Sequence, residues 1–170
     1  MKSASAGCVM TSNRVVDIRA AKSEEASLLS SLALRSKAVW GYDDDFMNQC
    51  RQELSITADY IASHETYVAE ENGHAVGFYG MVLQDSHAHL EFLYIEPDVL
   101  QRGYGRSLWR HAVSRARLLG AKHLSLDADP HAEKFYEAMG AKRIGEAPSG
   151  SIPGRKLPLL RFTIHENVDE

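Results

Sequence analysis

One side chain stands where it could move a proton, Glu91 in His89-Leu90-Glu91-Phe92-Leu93-Tyr94-Ile95, while Tyr136, four residues ahead of Gly140, reads on its own as a core-edge aromatic with a phenol to offer. Between them runs Leu100-Gln101-Arg102-Gly103-Tyr104-Gly105-Arg106-Ser107. Glycines at 103 and 105 remove side chains where a strand turns into a helix, so backbone N–H groups can point outward together with the helix dipole behind them. Such a nest suits phosphate. One dipole interaction is worth about 0.3–1 kcal/mol, so several N–H groups acting together, with charge added by Arg102 and Arg106, are what a pyrophosphate needs. The same glycines would also serve a bare tight turn. The run is not the dinucleotide fingerprint, because Leu108 stands where glycine or alanine is wanted, and no Lys-Ser/Thr pair follows as in a Walker loop.

In a period-2 strand Glu91 shares a face with Leu93 and Ile95, the face a sheet would bury. An unpaired buried carboxylate is costly, so Glu91 is expected to be hydrogen-bonded or functional, with an edge-exposed or salt-bridged glutamate as the alternative. Asp129-Pro130 reads as a helix N-cap followed by an N1 proline. Trp40, Tyr42 and Asp43 make an aromatic-acidic turn that suits a cationic amine or simply packs a helix corner. Arg155, between Pro153-Gly154 and Leu157-Pro158, either meets an acidic acceptor group or pins its loop. His74, His87, His89, His111, His123, His131 and His165 form no i, i+4 pair on one predicted helix and have no cysteines at ligand spacing, so no metal is expected. Ser149 and Ser151 lack a Gly-x-Ser-x-Gly elbow, which argues against a serine hydrolase.

These residues must be positioned by elements that the pattern outlines. Residues 1–13 read as a flexible tail, with one domain over residues 14–170. Residues 14–19 alternate as a short strand, Ser23 caps a helix reaching Trp40 with Gly41 as its stop, and a second helix covers residues 43–54. A meander of strands follows at residues 66–69, 75–83 and 89–95. Its first hairpin is fixed by Asn72-Gly73, since both central residues of a type I′ turn need positive φ. The helix opened by the glycine turn presents Leu108, Ala112, Val113, Ala116 and Leu119 on its apolar face and stops at Gly120. A strand at residues 124–126, a helix from Asp129 to Gly140, and strands at residues 141–146 and 157–164 complete the chain. The fold class is α+β: a single mixed, mostly antiparallel sheet of about seven strands flanked by helices.

The chain's 170 residues suffice for one compact core, and a formal charge of −4 from 19 basic and 23 acidic residues gives no nonspecific grip on nucleic acid. No apolar run exceeds residues 75–83, so no membrane span is expected. Cys8 and Cys50 have no paired spacing, which points to a reduced, cytoplasmic setting. Small residues precede Cys8 as at a lipoprotein cleavage site, but the apolar run of a signal peptide is missing.

The glycine turn, together with Asp129, Ala132, Phe135-Tyr136 and Gly140-Ala141, resembles the GNAT superfamily of acetyl-CoA-dependent N-acetyltransferases over about residues 15–164. The family's central motif is Arg or Gln, two residues, Gly, one residue, then Gly or Ala. Gly103 and Gly105 match, whereas Leu100 holds the Arg/Gln position and the adjacent Gln101 covers part of its role. The resemblance implies acetyl-CoA as cosubstrate, held by main-chain N–H groups of residues 101–107 and by Asp129, Ala132 and Phe135. It implies the strand Leu93-Tyr94-Ile95 as donor to the thioester carbonyl, Glu91 as general base and Tyr136 as general acid to the departing thiolate. Trp40, Tyr42 and Arg155 would face the acceptor, a small-molecule or peptide amine, attacked directly and without a covalent enzyme intermediate. Dimers are common among similar proteins. The alternative is a noncatalytic acyl-CoA-binding module, which would hold cofactor at the same turn and release no thiol; a nucleotide-binding protein is a third reading.

Overall fold

A computed structural model describes residues 16–166. The N-terminal tail, Cys8 and the first two residues of the expected first strand lie outside the described residues. The chain runs β1 Asp17–Ala20, α1 Ala26–Ala38, α2 Asp44–Cys50, α3 Ala58–Ser63, β2 Glu65–Glu71, β3 His74–Gln84, β4 His87–Ile95, α4 Tyr104–Leu118, β5 His123–Asp127, α5 Glu133–Ala138, β6 Lys142–Pro148 and β7 Lys156–Thr163. The seven strands form one sheet in the order β1-β2-β3-β4-β5-β7-β6. Every neighbouring pair is antiparallel except β4 with β5.

Local chemistry explains most of the boundaries. Asn72 and Gly73 take φ of +53° and +78°, and Glu71 pairs with His74 across a two-residue loop, as the hairpin signal requires. Asp43 caps α2 by accepting from Phe46 N at 2.8 Å. Ser23 does not cap the first helix as expected. Residues 23–25 form a 3-10 turn with Lys22 at the cap position, and Glu25 reaches back to accept from Lys22 N at 2.8 Å. The reciprocal glutamate contact replaces the serine. α3 was not anticipated; Thr57 starts it by accepting from Tyr60 N at 3.0 Å.

The sheet separates two apolar clusters. One joins Tyr79, Met81, Ala88, Leu90 and Ile95 to the buried face of α4, namely Leu108, Trp109, Ala112, Val113 and Ala116. The other joins Val68, Phe78 and Phe92 to Leu29, Leu32 and Ala33 of α1, with Cys50, Leu54 and Ile61 beside them. α4 thus buries the stripe its sequence spacing announces, except that Leu119 is its C-cap residue and 44% exposed.

Candidate active site

The site begins where the sheet comes apart. β4 and β5 pair only at His87–His89 with His123–Ser125, and beyond that point the two strands diverge. β4 also carries a bulge. Gly80 of β3 faces Phe92 and the next residue, Met81, faces Leu90, so Glu91 is the extra residue. The bulge reverses the alternation of side chains: Ala88 and Leu90 pack on the α4 side, whereas Phe92 and Tyr94 pack on the α1 side. Glu91 is therefore exposed rather than held on the buried face with Leu93 and Ile95. The expectation of a buried carboxylate fails because it assumed an unbroken period of two. Gly80 makes the bulge compact, since a Cβ there would meet Phe92 Cδ2 and Tyr60 Oη, each at 2.9 Å.

A cavity of about 600 Å³ fills the cleft between β4, α4, β5 and α5. Of the residues singled out in the sequence, Glu91, Leu93, Tyr94, Ile95, Gln101, Gly103, Tyr104, Gly105, Arg106, Asp129, Ala132, Phe135, Tyr136 and Trp40 line it. Arg102 does not line it and lies 4.0 Å from Glu71, while Ser107 Oγ donates to Gly103 O at 3.1 Å. Gly103, at φ +88°, turns the chain into α4 through the left-handed region that glycine tolerates. Gly105 leaves room for packing: a Cβ there would lie 3.2 Å from Phe135 Cζ, so the ring would have to give by a few tenths of an ångström. The first turn of a helix carries N–H groups that its own carbonyls do not satisfy, and Gly105 and Arg106 of that turn in α4 line this cleft. On its β4 wall, Glu96 N bonds to Val76 O of β3 whereas Ile95 N bonds to Ser36 Oγ at 3.3 Å, so the alternation of the strand directs the N–H groups of Leu93 and Ile95 away from β3 and into the cleft.

Tyr136 is 7% exposed and packs edge-on against Trp109 and Phe135. Burial, and next the Asp129 charge, push its phenol well above the usual tyrosine range. Burial raises Tyr94 in the same way, with Tyr136, Glu53 and Asp129 adding to it. Trp40 is 42% exposed and stacks on His131 with ring centroids 5.1 Å apart.

Asp129 ties four segments together. Its carboxylate accepts from His131 N at 2.9 Å, Tyr42 Oη at 2.9 Å and Lys37 Nζ at 3.2 Å, and Arg155 Nη2 lies 3.7 Å away. Burial alone would raise its pKa, but the His131 N–H, the Lys37 charge and the Tyr42 hydroxyl together hold it below the usual carboxylate range. Tyr42 responds in the opposite sense, pushed up to about 12 by burial and by Asp129. Arg155 donates to Tyr42 Oη at 2.7 Å and lies over the Phe46 ring at 4.9 Å, so it pins the β6–β7 loop onto α2. Tyr42 lines neither cavity; its hydroxyl belongs to this network.

A second cavity, about 270 Å³, adjoins the first and shares Lys37, Leu90, Glu91, Tyr94, Asp127 and Asp129 with it. It adds Glu53, His89, Ser149, Ser151 and Arg155. Glu53, Glu91, Asp127 and Asp129 face it against the cations Lys37 and Arg155, both already committed to Asp129, so the remaining field favours a cation. Tyr60, beside the bulge, is pushed far above its ordinary value by burial and next by the Glu91 carboxylate. Its hydroxyl approaches Glu91 without meeting the geometry of a full hydrogen bond. Among the described residues no cluster of three or more His, Cys, Asp or Glu could hold a metal, and no helix is long and apolar enough to cross a membrane.

Sequence reasoning missed Lys37, Glu53, His89 and Asp127 as cavity residues. None sits in a motif; they meet only because β4 and β5 diverge. The arrangement offers a carboxylate at the junction of two cavities, main-chain donors on one wall and a phenol on another, which suits moving a proton off one ligand while hydrogen-bonding a second.

Residues 33–141 match the model of the Acetyltransferase (GNAT) family. Peptidyl-lysine N-acetyltransferase YjaB of Escherichia coli K12 is 32% identical over 150 residues, covering 87% of this chain and 96% of that one. The YjaB of Salmonella typhimurium is 30% identical, covering 87% and 97%. Among solved structures, the PaiA N-acetyltransferase of Thermoplasma acidophilum in complex with coenzyme A superposes with a TM-score of 0.73 at 18% identity, covering 87% of this chain and 98% of that one, a likeness of fold. With the splayed strands, the glycine turn and the matched residues in view, this chain belongs to the GNAT family of acetyltransferases.

Proposed function

We propose that the protein moves the acetyl group of acetyl-CoA onto the side-chain amine of a peptidyl lysine by direct attack. One observation carries the reading: a long cleft and a smaller carboxylate-lined cavity share a wall at Glu91, so a thioester in one and an amine in the other would meet there. The names of the curated relatives favour lysine as acceptor. The larger cavity suits coenzyme A on structural grounds, because Gly103 opens α4 toward it and Gly105 leaves no Cβ to crowd Phe135.

In this reading the N–H groups of Tyr104, Gly105 and Arg106, with Gln101 and Gly103 before them, hold the diphosphate. Ala132 and Phe135 pack the opposite wall. Bound acetyl-CoA supplies an activated acyl carbonyl. Leu93 N–H donates to its oxygen as negative charge grows there, the contribution expected of a preorganised main-chain donor. A lysine amine has a reference pKa of about 10.4, so presenting it neutral at pH 7 costs about 4–5 kcal/mol. Glu91 accepts its proton, and the carboxylates around the smaller cavity first draw the ammonium in. Tyr136 donates a hydrogen bond to the departing sulfur. Proton transfer from an ordinary phenol to a thiolate is already uphill by about 2 kcal/mol, and burial makes Tyr136 a weaker acid still, so solvent completes the protonation.

The test is free-thiol release from acetyl-CoA across a panel of amines: a lysine peptide, an N-terminal α-amine and small diamines. Thiol release with the lysine peptide, accompanied by acetyl-lysine in the product, is expected. Binding of coenzyme A without thiol release for any amine would contradict the reading and favour a noncatalytic acyl-CoA-binding module.

A further inference from the structure

On the face of the sheet that carries the smaller cavity, two histidines share one serine. His87 Nε2 lies 2.7 Å and His89 Nδ1 2.9 Å from Ser125 Oγ. Ser125 is 5% exposed and stands opposite His89 at the last pairing before β4 and β5 diverge. His89 lines the smaller cavity with Glu91, and His87, half-buried, lies two residues nearer the start of β4 and outside that cavity's wall. A serine hydroxyl has one proton, so when it donates to one ring it accepts from the N–H of the other. The two rings are therefore coupled through a single hydroxyl, and one end of the chain of hydrogen bonds opens on the acceptor.

We propose that His89, Ser125 and His87 form a proton relay that carries the proton released in amine acylation from the acceptor cavity to solvent. The inference rests on the acetyltransferase reading above. Acylating an ammonium with a thioester breaks the C–S bond and two N–H bonds, forms a C–N and an S–H bond, and leaves one proton to be removed. That proton passes from Glu91 to His89 Nε2, the ring nitrogen not engaged by Ser125. His89 Nδ1–H then moves to Ser125 Oγ, the serine's own proton to His87 Nε2, and the His87 Nδ1 proton to water.

The groups facing the relay fit the task. Arg161 of β7 pairs with Ser125, His123 lies beside His87 with ring centroids 6.4 Å apart, and Asp127, Glu91 and Glu53 lie on the cavity side. Burial, and next the Arg161 charge, with His89 and His123, lower the pKa of His87, keeping its ring neutral and able to accept near pH 7.

The test uses the full chain with acetyl-CoA and a lysine peptide. Ser125→Ala is expected to lower kcat by about 10²-fold with little change in KM for acetyl-CoA, the loss being relieved by added imidazole and largely recovered in Ser125→Thr, which keeps a hydroxyl. A readout free of turnover is the imidazole nitrogen spectrum: His87 Nε2 and His89 Nδ1 show hydrogen bonding to the shared hydroxyl in the wild type, and both resonances shift in Ser125→Ala. Wild-type kcat in Ser125→Ala, a loss that imidazole does not relieve, or ring nitrogen resonances indifferent to Ser125→Ala would overturn the relay. A wild type with both rings hydrogen-bonded to the serine but no thiol release would instead sink the acetyltransferase reading on which the relay depends.

Discussion

Tyr136 has less acidity to give than a free tyrosine, because burial and the nearby Asp129 charge both oppose its ionisation. A hydrogen bond to sulfur asks less of it than a proton does. Tyr136→Phe should therefore lower kcat by about 10- to 100-fold, at or below the low end of full general-acid contributions, and steady-state thiol release would measure it. Glu91→Gln should cost more, about 10²- to 10⁴-fold in kcat, with the KM for acetyl-CoA nearly unchanged in the same assay. Glu91 was picked out by its place in the strand, yet for a geometry it does not have. Its exposure follows from a register shift against Gly80, which β4's own sequence does not encode. Lys37, Glu53 and Asp127 had no signal to give, since charged residues on a helix or strand look alike until the fold brings them to one cavity.

Among the elements, the bulged β3–β4 pair is the most exacting. Gly80→Ala would drive a methyl group toward Phe92 and Tyr60 Oη, both at 2.9 Å, so one of them must shift and the bulge with it. Overpacking of this kind costs about 1–3 kcal/mol, and thermal denaturation should show the loss together with weaker amine turnover. The Asp129 network joins α1, the turn before α2, the turn before α5 and the β6–β7 loop. Asp129→Asn should cost about 1–3 kcal/mol by leaving buried donors without their anion. Its pH signature has a definite sign. The folded carboxyl titrates below the unfolded value of about 3.9, so the stability it contributes is complete above roughly pH 4 and is lost as pH falls through the folded value. Melting points taken down to acid pH should fall less steeply in Asp129→Asn than in the wild type. The elements with strong local chemistry, such as the Asn72-Gly73 hairpin and the amphipathic α4, were legible in the sequence. α3 was not, because six residues carry too short a period to distinguish a helix from a loop.

At the scale of the whole molecule, one sheet is clamped between two apolar clusters, and the only parallel pair among the described residues, β4 with β5, is the place where it opens. Leu29 and Leu108 are fully buried in the two clusters. Truncating either to alanine should cost about 2–5 kcal/mol, read from denaturant midpoints. The α+β class and the sheet of seven strands could be inferred from the order of periods along the chain, whereas the splay between β4 and β5 could not, since it is a relation between strands separated by α4. That splay and the mouth of α4 together bound the larger cavity. The most direct measurement is a titration of coenzyme A into the protein, followed by backbone amide shifts. Saturable binding is expected, with the largest shifts at Tyr104, Gly105 and Arg106 and along Leu93–Ile95; shifts confined to other surfaces, or no binding at all, would contradict the proposed cofactor site.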